Sequence, residues 1–257
     1  MRHFPRFGSS MCRLLIVLVC CAAFLALAAC ATPAPTPTPT PEPKGGGGEF
    51  RVVLNADPQS LNPNLRTDDN AFAVSQSLYN KLVTLDADYR VISDLATRWD
   101  ISTDGLSYTF YLAKNVQWHD GQPFTSADVK WTFEMIAREK GYAKELANRI
   151  ASIETPDATT VVMRLKGSYA PFVSTLAWYG TFILPKHIYE GSDWTKNPAN
   201  EKPVGTGPFK FVEWVKGDHI AAVVNKEYFK RGPFLDQVTW RFQTSALSGP
   251  EIGRAHV

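Results

Sequence analysis

The sequence predicts an α/β fold rich in strands, on three observations. Short runs of β-branched and aromatic residues recur at Phe50–Leu54, Tyr108–Leu112, Thr159–Leu165, Phe209–Val215, His219–Val224 and Val238–Phe242. Val129, Thr132, Phe133 and Ile136 keep a helical spacing instead. Helices and hairpins do not alternate regularly, which argues against a simple doubly wound sheet. At 257 residues and 44% hydrophobic, the chain suffices for one or two compact domains with real cores.

Residues 1–30 read as an export signal. Arg2, Arg6 and Arg13 precede the uncharged run Leu14–Leu27, which is too short to span a bilayer comfortably but right for a signal core. The run ends in Leu27-Ala28-Ala29-Cys30, which resembles the bacterial lipoprotein cleavage box, in which the Cys becomes the lipidated first residue. An ordinary signal cut after Ala29 is the alternative. Several acyl chains on Cys30 would make a firm anchor where one would not. Residues 31–48 form a linker. Ala31–Lys44 alternates Pro and Thr, an extended spacer of roughly 40 Å at about 3.1 Å per residue. Gly45–Gly48 adds a swivel, so the whole reads as a tether holding a domain off a membrane.

The folded part starts at Glu49. Phe50–Leu54 is expected as a buried strand. Asp57-Pro58 and Leu61-Asn62-Pro63-Asn64 are loop chemistry, and Ala71–Leu82 is expected as a helix. Tyr108–Leu112 is a strand, and Trp118–Glu134 follows it. In that stretch Asp120-Gly121 turns the chain, and Pro123 suits a helix entry. Thr125 is expected to accept from the amide three residues on, with Asp128 closing a capping box. Ala170–Trp178 is expected as a helix and Phe182–Leu184 as a short strand ended by Pro185. Lys216-Gly217-Asp218 turns a hairpin between the last strands but one.

Little here points to catalysis. Cys12, Cys20, Cys21 and Cys30 all precede the linker, so the remaining chain can form neither disulfide nor thiolate metal site. The formal charge is +2 with Lys and Arg dispersed, which gives no nucleic-acid surface. There is no Gly-x-Ser-x-Gly elbow. Gly205-Thr206-Gly207 leads into Pro208 and a strand, where a phosphate loop needs a helix, so it reads as a backbone turn. His3, His119, His187, His219 and His256 are isolated, without zinc spacing. His119 beside Asp120 is either an acid–base pair or two exposed loop residues. Asp57, Asp68 and Asp69 either hold a cation or are solvated. No catalytic residue, metal or cofactor is expected.

The strings themselves carry a resemblance. Trp118-x-Asp120-Gly121-x-Pro123-Phe124-Thr125-x-x-Asp128-Val129-x-x-x-Phe133-Glu134 resembles the signature region of the family 5 solute-binding proteins of ABC transporters, the dipeptide/oligopeptide-binding group. Ser60-Leu61-Asn62-Pro63, Leu78-Tyr79-Asn80-Lys81-Leu82, Leu95-Ala96-x-x-Trp99, Asp104-Gly105-x-x-Tyr108-Thr109-Phe110, Leu184-Pro185-Lys186-His187, Pro203-Val204-Gly205-Thr206-Gly207-Pro208-Phe209, Asn225-Lys226-Glu227-Tyr228-Phe229 and Leu235-Asp236-x-Val238 agree with the family in the same order. The resemblance runs from about Phe50 to Phe242.

That resemblance implies a periplasmic-binding-protein-like type II fold, two lobes closing on a solute by hinge motion. It implies a first lobe over 49–243. A discontinuous subdomain (49–70 and 170–243) would carry an inserted one (71–169). Family members are longer, so the second lobe is expected to be missing. Residues 244–257 read as a truncated end, and Glu251–Val257 resembles the translation of a sequencing adapter. The implied function is a non-enzymatic, lipid-anchored, extracytoplasmic receptor, monomeric when full length. It would capture peptides for an ABC permease with its ATPase subunits. Nickel, oligosaccharide and opine binders and sensory receptors share the scaffold, and a tethered enzyme is the remaining class. The family's ligand-facing positions map onto Thr67, Asp68, Asp69 and Tyr142. The signature stretch itself is expected to be scaffold.

Overall fold

The computed structural model describes residues 47–65, 68–138, 143–178 and 180–243. The signal with Cys30, residues 31–46 of the linker, residues 244–257, Thr67 and Tyr142 lie outside the described residues.

Two four-stranded sheets organise the rest. The first has the order β1-β10-β9-β8, from β1 (Glu49–Leu54), β8 (Phe209–Val215), β9 (His219–Val224) and β10 (Gln237–Phe242). β1 runs parallel to β10, with Phe50 beside Val238 and Leu54 beside Phe242, so the two ends of the described chain share one sheet. β8 and β9 form the expected hairpin, and Gly217 takes φ +77° in its turn. The second sheet is fully antiparallel in the order β4-β5-β7-β6, from β4 (Ala96–Ile101), β5 (Ser107–Leu112), β6 (Ile150–Asp157) and β7 (Thr160–Leu165). A small ladder pairs β2 (Val83–Leu85) with β3 (Val91–Ser93).

In β5, Tyr108, Phe110 and Leu112 are buried while the residues between them are not, the period of a strand with one covered face. The helix α2 (Ser126–Arg138) packs on that sheet through β6 and β7. Val129, Thr132, Phe133 and Ile136 are all buried, as their spacing predicts. So are Ser126, Asp128, Trp131 and Met135, because α2 is also covered by α3 (Lys144–Asn148) and α5 (Lys186–Tyr189).

Four expectations need correction. Phe50–Leu54 is a strand but not a buried one: it lies at a sheet edge, with Phe50 56% and Val53 49% exposed and only Leu54 buried. The first helix, α1, spans Asp69–Leu78 rather than Ala71–Leu82. It stops because Tyr79 is extended (φ −125°, ψ 160°) and the Gly207 amide donates to the Leu78 carbonyl at 2.9 Å. Gly205 and Gly207 permit this approach: a Cβ on Gly205 would lie 1.8 Å from that oxygen. The helix α4 covers only Phe172–Leu176 of the expected 170–178.

Phe182–Leu184 is not a strand, although all three residues are buried. Their backbone is satisfied mostly by side chains. Asn64 donates to the Phe182 carbonyl (2.7 Å) and accepts from its amide (3.1 Å). The Leu184 amide donates to Thr132 (3.1 Å), and the Ile183 amide to the Asn80 carbonyl (3.0 Å). An apolar run this short does not say whether a ladder or a set of side-chain partners will serve it.

Candidate functional site

The loop before α1 is fastened by amides. Asn62 donates to Asn200 (2.9 Å), Asn200 to the Trp194 carbonyl (2.8 Å), and the Tyr189 hydroxyl to Asn200 (3.0 Å). This buried network ties Ser60-Leu61-Asn62-Pro63 to the segment around residue 200 and leaves a polar hollow of about 750 Å³ beside Gln59, Ser60, Leu65, Thr195, Asn197 and Asn200. Of the two described aspartates named from sequence, Asp68 is the N-cap of α1. Its Oδ1 accepts from the Ala71 amide at 2.7 Å, offsetting an orphan donor of the first turn. Its Oδ2 is buried without a partner among the described residues. Asp69 occupies the first turn, where a carboxylate suits the helix dipole. The cation grouping with Asp57 does not form. Asp57 accepts from Trp214 Nε1 and the Gly217 amide, both at 2.7 Å, pinning the β8–β9 hairpin. No cluster of metal-ligating residues occurs among the described residues.

One turn behind the cap, Phe72 meets Phe182 edge-on at 5.8 Å. The Lys81 amine lies over both rings, 5.5 and 4.9 Å from their centroids, and donates to the Ala177 carbonyl at 2.8 Å. Ala177 is the C-cap of α4, so the cation meets a helix-end carbonyl. Lys81 is 4% exposed, and burial pulls its pKa down to about 8, with Asp94 pulling the other way. Asp94 in turn accepts from the Lys81 amide (2.8 Å), Asn80 (2.8 Å) and Lys230. The chain Phe72–Lys81–Ala177 thus links the first turn of α1 to the end of α4.

Just past that end lies Trp178, 45% exposed. It lines a hollow of about 280 Å³ with Leu146, Arg149, Tyr169 and Thr175. Ala143, the residue after Tyr142, also lines it. Sequence reasoning missed Lys81, Arg149, Tyr169 and Trp178. Lys81 lay inside a matched string, yet nothing in a string says that its amine is buried. Trp178 stood at the end of an expected helix, where an aromatic is unremarkable.

The signature stretch is packed scaffold. Trp118 is buried against Phe124, and its amide donates to the Gln122 carbonyl at 2.8 Å, closing a turn in which Gly121 takes φ +87°. The capping box is half of what the sequence predicts. The Asp128 carboxylate accepts from the Thr125 amide (2.8 Å), but the Thr125 hydroxyl donates to Asp128 rather than accepting from its amide. The other Asp128 oxygen accepts from the Lys186 amide at 3.0 Å, fixing the start of α5. Burial nevertheless raises the Asp128 pKa. His119 is neither an acid–base partner of Asp120 nor an exposed loop residue. Its Nδ1 accepts from the Gly205 amide (3.1 Å) and its Nε2 donates to the Gly207 carbonyl (3.0 Å). Asp120 pairs with His187 instead, at 2.8 Å.

Residues 90–248 match the family described as bacterial extracellular solute-binding proteins, family 5, middle part. The chain belongs to this family. Within it, the chain is 38% identical over 159 residues to a putative ABC transporter peptide-binding protein of Brucella ovis, covering 59% of this chain and 29% of that one. It is 32% identical over 200 residues to the oligopeptide-binding protein AppA of Bacillus subtilis, covering 76% and 37%. The solved structure of AppA, in complex with a nonapeptide, superposes with TM-score 0.73 over 77% of this chain and 40% of AppA, at 32% identity. NikZ of Campylobacter jejuni, in complex with Ni(L-His), superposes with TM-score 0.70 over 76% and 39%, at 27% identity. This family 5 chain spans about a third of the length of the curated relatives it matches.

Proposed function

We propose that this chain belongs to the solute-capturing receptor of an ABC importer, that its solute is a peptide, and that no reaction is catalysed. The observation that carries the reading is the 38% identity to a Brucella protein named for peptide binding. The geometry suits it. The described part offers open hollows whose walls mix amides, a guanidinium and aromatic faces. Such walls can pair the backbone groups of an extended solute while covering its side chains. The solute would contact Thr67, Asp68, Asp69 and Tyr142, and would pass to the permease and its ATPase subunits. Cys30 would hold the protein, working as a monomer, at the outer face of the cell membrane or in the periplasm. Cys30→Ala is expected to release it from membranes, and unchanged retention would reject the anchor.

A second reading, capture of a metal chelate, is favoured by the likeness to NikZ. Thermal shifts of the full chain separate the two. Di- to pentapeptides should raise the melting temperature and Ni(L-His) should not. A shift with the chelate alone would replace peptide by metal chelate.

A further inference from the structure

Arg149, exposed at the end of α3, lines the hollow beside Trp178, and no acceptor among the described residues takes its side-chain donors. Arg149 follows α3, and its guanidinium carbon lies 4.3 Å from the centroid of the Tyr169 ring. Stacking occupies a face of the guanidinium and leaves its N–H groups, which lie in its plane, for another partner. Among the described residues no side-chain or backbone acceptor takes them. Glu145, one turn earlier on the same side of α3, lines the hollow without forming an ion pair to Arg149. Leu146 and Trp178 make the walls partly apolar.

We propose that this hollow is a carboxylate subsite. Arg149 would take the two oxygens of a solute carboxylate edge-on, while Trp178 and Tyr169 cover the apolar group attached to it. The inference rests on the solute-binding reading and deepens it by naming the chemical group that is read. A planar carboxylate matches two parallel guanidinium donors, and such charge-assisted pairs are about twice as strong as neutral ones. The stacked Tyr169 holds the fork in place, so less side-chain freedom is lost on binding. The volume of about 280 Å³ suits one side chain or chain terminus, not a whole oligopeptide.

Ligand-observed NMR on the full chain tests this with 3-phenylpropanoate and its uncharged isostere, 3-phenylpropanamide. The acid should bind about tenfold more tightly than the amide or better, the loss expected for a missing bond to a charged group. In Arg149→Gln that preference should vanish, and in Arg149→Lys it should return only in part. Trp178→Ala should weaken acid and amide alike. Equal binding of acid and amide, a preference that survives Arg149→Gln, or binding of neither compound would overturn the proposal. Failure of the wider reading shows elsewhere, in peptides that give no thermal shift, so the two failures are distinguishable.

Discussion

At His119 both ring nitrogens are occupied by the backbone of the 205–207 turn, and burial lowers its pKa from 6.5 to about 4. Lys81 is also held below its ordinary value, at about 8 against 10.5. In both cases the unfolded chain binds a proton that the fold does not, so stability rises with pH between the two values. The His119 contribution is complete above about 6.5 and is lost as pH falls to about 4. The Lys81 charge penalises the fold below about pH 8, and the penalty is relieved by about 10.5. Urea unfolding of the full chain across pH should show both slopes. His119→Gln should flatten the acid one and Lys81→Met the alkaline one; slopes unchanged in the variants would place their origin elsewhere. Neither residue could be read this way from sequence. A histidine next to an aspartate suggests a pair, yet Asp120 turns to His187, and the partners of His119 lie 86 residues away and beyond.

At the scale of elements, the turn that ends α1 is a tightly constrained junction. Gly205 and Gly207 pack against the Leu78 carbonyl, and a Cβ on Gly207 would lie 2.4 Å from the carbonyl carbon. Gly207→Ala is therefore expected to destabilise the chain by about 2–3 kcal/mol through overpacking on backbone that cannot move aside. Chemical denaturation reads that loss, and a change under about 0.5 kcal/mol would mean that the junction relaxes freely. β1, β5, β7, β8, β9 and β10 were legible because their signals are local, whereas β2, β3, β4 and β6 were not read from the sequence. The period-2 run of β5, the Lys216-Gly217-Asp218 turn and the apolar stripe of α2 need no distant partner. The misread elements depend on distant ones. Phe182–Leu184 takes its hydrogen bonds from Asn64, Asn80 and Thr132, and the exposure of β1 follows from its place at the sheet edge.

At the scale of the whole molecule, family membership was readable because it lives in scaffold strings, the turn and cap of Trp118–Glu134 above all. Ligand chemistry was not, because one fold holds a nonapeptide in AppA and Ni(L-His) in NikZ. The hollow of Arg149, Tyr169 and Trp178 draws on α3, the segment after β7 and the end of α4, a convergence with no signature of its own in the chain. The Lys81 amine joins the end of α4 to the first turn of α1. The measurement that tests the central claim most directly is native mass spectrometry of the full chain after incubation with an equimolar mixture of tripeptides and Ni(L-His). Peptide capture predicts retained masses that match tripeptides. Retention of the nickel complex alone, or of nothing, would contradict it.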